Sequence, residues 1–198
     1  MPGDFLRRKP QLSLQQFHLF RNERPKEEKW ELIDGAPMMM PPPTLMHQRI
    51  SGNLDLLVNA RLALTKPEWR ADREIGLLLP EDDKYNPEPD VTVIDTDIGI
   101  GQIYATRFYF VAEVLSGSDQ PIVLDLKLAY YKQHAPCRGV LFVRQDQVAA
   151  ELHVRATPWS TIQLSTPSDR IAIPDIGEIG TLGHLYRHTP LWRAEFAA

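Results

Sequence analysis

Two acidic residues and one lysine stand in places where a soluble protein seldom carries charge. Asp90 closes a Pro-Asp step directly before the apolar run 91–94, and Glu113 interrupts the apolar run 110–115. Lys127 follows Glu113 by fourteen residues. Charged side chains rarely enter a strand that faces a core unless a partner compensates them. The three residues are therefore candidates for one shared site.

The chemistry that such a trio supports is metal-dependent cleavage of a phosphodiester bond. Two carboxylates on adjacent strands repel each other, and a divalent cation relieves that repulsion. A nearby ammonium group stabilises charge that develops on a phosphate or a hydroxide. The pattern alone is equally compatible with a simpler arrangement. In it, Lys127 is only the buried salt-bridge partner of Glu113, and Asp90 bonds its own loop.

The first half of the chain predicts the elements that lead to these residues. Segment 13–16 has the form of a capping box and predicts a short helix to about residue 20. The Asp34-Gly35 step predicts a hairpin turn with 36–40 as the second strand. Apolar spacing over 44–65 predicts the longest helix, which ends before a proline.

The second half of the chain alternates strands with one helix. Apolar runs predict strands at 75–79, 91–94, 108–115, 140–143 and 148–154. A helix is predicted at 124–134, between two of these strands. This order favours an α+β or mixed α/β class, with a central mixed sheet flanked by helices. A chain of 198 residues fits one domain, 1–198.

Composition limits the class of protein. With 43% apolar and 24% charged residues the chain is ordinary for a globular protein, and no run approaches a membrane span. The single Cys137 excludes an internal disulfide and a Cys-based zinc site, and it suits a reducing cytoplasm. We therefore expect a cytoplasmic protein and, from the lack of a long apolar run, no membrane association. The net charge of −4 argues against tight nonspecific nucleic-acid binding, although segment 126–144 carries four basic residues and no acid.

Five stretches together resemble one known family. They are Trp-Glu-Leu-Ile-Asp-Gly at 30–35, the proline-rich step before His47, and segments 86–91, 111–116 and 127–131. Each is unspecific alone, but all five stand in family order with matching spacing. The chain resembles the Uma2 family of restriction-endonuclease-like proteins, within the PD-(D/E)XK nuclease fold. The resemblance implies a restriction-endonuclease-like α+β core over about residues 13–187.

The resemblance also assigns roles to the charged trio. It implies that Asp90 and Glu113 bind Mg²⁺ or Mn²⁺ together with the carbonyl of Val114, and that Lys127 completes the catalytic set. In the wider superfamily a lysine stands two residues after the second acid, where this chain has Leu115. Uma2-like sequences carry the lysine on the following helix, where Lys127 is expected.

Two further residues are candidates, the first of them by the same resemblance. Glu31 lies in the predicted hairpin, and the first helix or hairpin of this superfamily often adds a carboxylate to the site. His47 lies in the longest predicted helix and is interpreted as an orienting or core histidine. A metal-binding role for His47 lacks a second histidine at ligand spacing.

The resemblance favours the metal site over the buried ion pair and implies an endonuclease, a hydrolase that cleaves phosphodiester bonds of nucleic acid, DNA above all. A homodimer is expected, because cutting both strands of a duplex requires two sites. One alternative is a catalytically inactive nucleic-acid- or protein-binding module that keeps the nuclease fold. The net negative charge and the acidic segment 81–83 favour it. Another is a structural subunit in which Glu113 and Lys127 form an internal pair.

Overall fold

A central six-stranded sheet organises the chain. The computed structural model describes residues 10–117 and 119–192. The helices in this part of the chain are α1 (Leu14–Asn22), α2 (Leu45–Thr65), α3 (Pro121–Gln133) and α4 (Leu182–Leu185). The strands are β1 (Lys29–Ile33), β2 (Ala36–Met40), β3 (Trp69–Asp72), β4 (Gly76–Leu77), β5 (Val91–Asp95), β6 (Tyr104–Ala105), β7 (Phe110–Leu115), β8 (Gly139–Arg144), β9 (Ala150–Val154), β10 (Ser160–Leu164), β11 (Arg170–Ile173) and β12 (Gly177–Thr181).

The central sheet is mixed. Its strand order is β10-β9-β8-β7-β5-β3. β7 and β8 are parallel and are connected through α3, whereas the other neighbouring strands are antiparallel. Three two-stranded sheets, β1–β2, β11–β12 and β4–β6, lie outside it. The predicted α+β class with a central mixed sheet is confirmed.

Helices cover both faces of the central sheet. On one face α2 buries side chains spaced four residues apart, namely Ile50, Leu54, Val58 and Leu62. On the other face α3 buries Tyr130 and Tyr131. Alternate residues of β7 serve the two cores, so Val114 packs on the α2 side and Val111 on the α3 side. Glu113, between Val114 and Ala112, therefore faces α3.

Most of the predicted elements form where the local sequence places them. Ser13 closes a capping box on α1, and the hairpin turns through Asp34 and Gly35, both at positive φ. Such φ values are those of the tight turns that suit the twist of a hairpin. Thr44 caps α2 by accepting a hydrogen bond from the His47 amide at 3.1 Å. These predictions are confirmed.

Some predicted bounds differ from the structure, and several short elements were not predicted. The strand predicted at 75–79 is only Gly76–Leu77, because its partner β6 is equally short. α3 begins at Pro121 rather than at residue 124, since proline suits the first helical turn. β3 was not predicted, because Trp69–Asp72 alternates charged and apolar residues beside a helix end.

Among the described residues no helix combines the length and the apolar character that crossing a membrane requires.

Candidate active site

Asp90 and Glu113 meet at the end of the central sheet. In the antiparallel pair of β5 and β7, Val91 lies opposite Ala112, so the next step brings residue 90 opposite residue 113. Both acidic side chains line one cleft of about 230 Å³. The amide of Val114 donates to Asp90 Oδ2 at 2.6 Å and fixes that carboxylate across the strand ends.

Glu113 is held on the α3 side by two donors. Its Oε1 accepts from Tyr131 Oη at 2.6 Å and from Lys127 Nζ at 3.1 Å. Glu113 is only 7% exposed. Burial raises the pKa of Glu113 to about 7, against the opposing charge of Lys127 and with added repulsion from Glu31 and Asp90. Its negative charge is therefore incompletely compensated.

Lys127 is shared between two carboxylates. Its Nζ lies 2.7 Å from Glu31 Oε2 and 3.1 Å from Glu113 Oε1, and its side chain is almost fully buried. Burial alone would lower the pKa of Lys127, but the charges of Glu113 and Glu31 outweigh it and raise that pKa. The other oxygen of Glu31, Oε1, accepts from the Glu88 amide at 2.9 Å. Lys127 is thus a permanently charged group, and Glu31 anchors it.

His47 lies against the first carboxylate. It stands in the first turn of α2, and its Nε2 is 3.2 Å from Asp90 Oδ2. Burial alone would lower the pKa of His47, but the hydrogen bond and the charge of Asp90 raise it overall. The predicted orienting histidine therefore contacts a predicted site residue.

A second network fixes the loop before Asp90. Arg21 of α1 donates to Glu88 Oε1 at 3.0 Å and to Tyr104 Oη at 2.7 Å. Glu88 stands between two prolines, two residues before Asp90. Sequence reasoning gave Arg21 and Glu88 no role. The signal available was a lone acid between prolines, which restrict the backbone.

The structure agrees only in part with the simpler interpretation, in which Lys127 is just the salt-bridge partner of Glu113 and Asp90 bonds its own loop. The buried pair of Glu113 and Lys127 exists, but Glu31 shares the lysine, so three charges replace two. Asp90 bonds the amide of Val114 on another strand rather than its own loop. The structure therefore brings Asp90, Glu113, Lys127 and Glu31 into one cluster along the same cleft.

The donor set suits a hard cation with an open coordination shell. Among residues 10–117 and 119–192, no group of three or more His, Cys, Asp or Glu side chains is arranged to hold a metal ion. Asp90 and Glu113 supply two carboxylates. The carbonyl of Leu115 accepts a hydrogen bond from the Gln145 amide and so points towards β8. Successive residues of a strand point their backbone N–H and C=O groups to alternate sides, so the N–H and the carbonyl of Val114 both point towards Asp90. Mg²⁺ commonly binds to one or two carboxylates and completes its shell with water and substrate phosphate.

Comparison with known proteins identifies the fold and the family. The chain is similar to the crystal structure of a "putative nuclease belonging to DUF820" from Anabaena variabilis, with a TM-score of 0.70 and 16% identity over 88% of this chain and 97% of that chain. This likeness confirms the predicted restriction-endonuclease-like fold. No curated protein matches the chain. The Uma2 family model, described as "Putative restriction endonuclease", matches residues 14–180, and the chain therefore belongs to the Uma2 family.

Proposed function

We propose that the protein is a metal-dependent endonuclease that hydrolyses phosphodiester bonds of nucleic acid, DNA above all. The observation that carries the proposal is the charge balance of the cluster. Glu31 and Glu113 share the ammonium of Lys127, and Asp90, which pairs with His47, lines the same cleft. Lys29 also lines the cleft and pairs with Glu74 at 3.7 Å. Burial raises the pKa of Glu113, so a further cation beside it would stabilise the ionised carboxylate. The family and its nuclease-like fold support this reading of the site.

In this proposal Asp90 and Glu113 hold Mg²⁺ or Mn²⁺ together with the carbonyl of Val114. When bound, such a cation lowers the pKa of a coordinated water and neutralises charge on a phosphate. The protein's own part is to keep both carboxylates aimed at one point. The Val114 amide and His47 fix Asp90, while Tyr131 fixes Glu113.

Lys127 has a separate role in the proposal. Because its pKa is raised, the ammonium stays protonated at neutral pH and is a poor proton acceptor. It therefore stabilises negative charge on the phosphate as the bond to the attacking oxygen forms. Glu31 acts through Lys127 by holding Nζ at 2.7 Å, so it is a positioning residue.

A two-fold homodimer belongs to the same proposal. One cleft accommodates one scissile phosphate, and a duplex presents two strands of opposite direction. Two sites related by a two-fold axis would cut both strands. Sedimentation of the purified protein, alone and with a short duplex, tests this part separately.

The test of the nuclease is cleavage of supercoiled plasmid and of short single strands in Mg²⁺ or Mn²⁺. We expect Glu113→Gln, which keeps the size of the side chain and removes its charge, to lower the rate at least about 100-fold. The matched control is Glu178→Gln, the same change at a half-exposed acid that pairs with Arg170 on the small β11–β12 sheet. It should cleave as the wild type does.

The contrary result is equally informative. If wild type and Glu113→Gln both fail to cleave, and neither Mg²⁺ nor Mn²⁺ changes the melting temperature of the wild type, the nuclease proposal is wrong. Metal-independent binding of nucleic acid under those conditions would support the non-catalytic module instead.

A further inference from the structure

A second pocket opens from the side of the carboxylate cleft. It has a volume of about 410 Å³ and shares four wall residues with the cleft, namely Leu115, Ser116, Asp119 and Leu124. We propose that this side pocket holds one unpaired nucleobase of the substrate strand, next to the scissile phosphate. The inference rests on the proposed function for its substrate, and it adds the class of substrate, a single-stranded or locally unpaired nucleic acid.

The register of the sheet aligns the side pocket with the site. Glu113 on β7 lies opposite Phe142 on β8, Phe142 opposite Glu151 on β9, and Glu151 opposite Gln163 on β10. Residues directly opposite each other point to the same face, and neighbouring strands are about 4.8 Å apart. The four side chains therefore form one row, with Phe142 about one strand spacing from the carboxylate of Glu113. A phosphate bound beside Glu113, the first residue of the row, would place the adjoining base over Phe142, the second residue.

The surface chemistry of the side pocket suits a base. Phe142 forms an apolar floor, and Leu124 and Leu128 of α3, four residues apart, form an apolar wall. Gln147 brings an amide group to the lining, and Gln163 brings a second one whose Nε2 donates to Glu151 Oε2 at 2.6 Å. A nucleobase has an apolar face that packs on aromatic and apolar side chains, and polar edges that form hydrogen bonds.

The charge of the side pocket argues against a phosphate as its occupant. Asp119, Asp125 and Glu151 line it, and among the described residues of the lining Arg144 is the only basic one. The guanidinium of Arg144 is already engaged by Asp146, at 3.0 and 2.8 Å. A net negative lining repels the backbone of a nucleic acid. A neutral base is free of that repulsion.

The sizes of the two cavities agree with this division. Sites for small organic groups generally measure roughly 300–1,000 Å³, a range that includes the side pocket of about 410 Å³ but not the cleft of about 230 Å³. The cleft thus has space for a phosphate with its cation, and the base needs the neighbouring space. A base that is paired within a duplex cannot enter such a pocket without leaving its stack.

The experiment measures binding without cleavage, so that it stands apart from the test of the nuclease. Fluorescence anisotropy in Ca²⁺, a cation that also takes oxygen ligands, compares a labelled single-stranded 12-mer with a 12-mer of abasic nucleotides and with a 12-base-pair duplex, and a gel verifies that the strands stay intact. We expect the ordinary single strand to bind at least about tenfold more tightly than the abasic strand or the duplex, as stacking of a base on an aromatic side chain predicts. Leu128→Trp fills the side pocket and should abolish the difference.

The matched control is Ala129→Trp, which adds the same indole at an exposed position one residue further along α3 and outside the pocket lining. It should keep the preference for the ordinary strand. Thermal melting of both variants verifies that they are folded. Equal binding of ordinary and abasic strands, no binding of either, or an unchanged preference in Leu128→Trp would each overturn the nucleobase pocket. Metal-dependent cleavage without a preference for the ordinary strand would contradict the nucleobase pocket but support the nuclease. A preference for the ordinary strand without metal-dependent cleavage would support the nucleobase pocket but contradict the nuclease.

Discussion

The two faces of the central sheet use the same strands in different ways. On the α2 face, β7 contributes Ala112 and Val114 to a core of apolar side chains, among them Leu54. On the α3 face, the residue between them is Glu113, buried with Lys127 and Glu31. One strand thus supplies a stabilising core on one side and a charged cluster on the other.

The difference shows where stability and chemistry are placed. Apolar burial on the α2 face favours folding directly, by about 25 cal/mol per Å² of surface removed from water. A buried ionic cluster contributes little net stability, because desolvation offsets the attraction between its charges. The cluster also lies where a cleft opens, whereas Leu54 is fully buried. We infer that the α2 face serves the fold, whereas the α3 face serves both the fold, through a second apolar core, and the chemistry of the cleft.

The largest expected effect comes from removing the only cation of the cluster. Lys127→Met leaves Glu31 and Glu113 buried without their shared partner, so it should lower the free energy of unfolding by about 3–5 kcal/mol. Urea denaturation at pH 7 measures it. The control is Leu128→Met, the same new side chain one position along, which should change stability by less than about 1.5 kcal/mol. Similar values for the two variants would show that Lys127 does not compensate the carboxylates.

A substitution on the α2 face should affect stability alone. Leu54→Ala removes a fully buried side chain and should lower the free energy of unfolding by about 2–5 kcal/mol. The expected increase in melting temperature on addition of Mn²⁺ should be retained, because Leu54 lies about two helical turns beyond His47, the residue of α2 that contacts Asp90. Differential scanning fluorimetry with and without Mn²⁺ checks both points. If Mn²⁺ no longer raised the melting temperature of Leu54→Ala, metal binding would depend on the α2 core, and the prediction would be wrong.

The sequence identified the charges of the α3 face and two of their neighbours, Glu31 and His47, but not the contacts that hold them. Asp90 and Glu113 were recognisable because they flank or interrupt apolar runs, and Lys127 because the family resemblance places a lysine there. The side pocket was not foreseeable, since it depends on the register of β8, β9 and β10. A shift of that register by one residue would turn Phe142 and Glu151 to opposite faces.

The hydroxyl that holds Glu113 shows the same limit. Tyr130 and Tyr131 are adjacent in the predicted helix 124–134, and the sequence does not tell which of them faces the site. The structure turns Tyr131 to Glu113, and Tyr130 to the backbone of Leu79 and Leu77. Helical rotation relative to the sheet decides between them, and that rotation is a property of tertiary packing.

The stability of the α3 face should depend on pH. Burial gives Glu113 a pKa of about 7 in the folded protein against an ordinary value of 4.5, so the folded state binds more protons between these values. Stability should therefore fall as the pH rises through this window, on the order of 1–3 kcal/mol. The raised pKa of His47 acts in the same direction at pH values above its ordinary pKa of 6.5.

Urea denaturation at pH 5, 6, 7 and 8 measures this dependence. Glu113→Gln cannot ionise and should flatten the profile, whereas Leu54→Ala should shift it without changing its slope. Metal binding requires an ionised carboxylate, so the stabilisation by Mn²⁺ should grow from pH 6 to pH 8 in the wild type. A profile of the same slope in Glu113→Gln would assign the pH dependence to other groups.

The smallest expected effects distinguish two adjacent tyrosines. Tyr131→Phe removes a donor to the Glu113 carboxylate, and Tyr130→Phe removes a hydroxyl that accepts from the Leu79 amide at 3.0 Å. Each should lower the free energy of unfolding by about 1–2 kcal/mol, the usual cost of one buried hydrogen bond. Only Tyr131→Phe should raise the pKa of Glu113 further, because the lost bond favoured the ionised carboxylate.

The readout that separates the pair is the pH at which Mn²⁺ begins to raise the melting temperature. It should move to higher pH in Tyr131→Phe and stay at the wild-type value in Tyr130→Phe. If both variants shift it equally, the position of α3 controls the metal response. If only Tyr131→Phe shifts it, the response depends on the ionisation of Glu113, and the α3 face is divided between residues that pack and residues that tune the site.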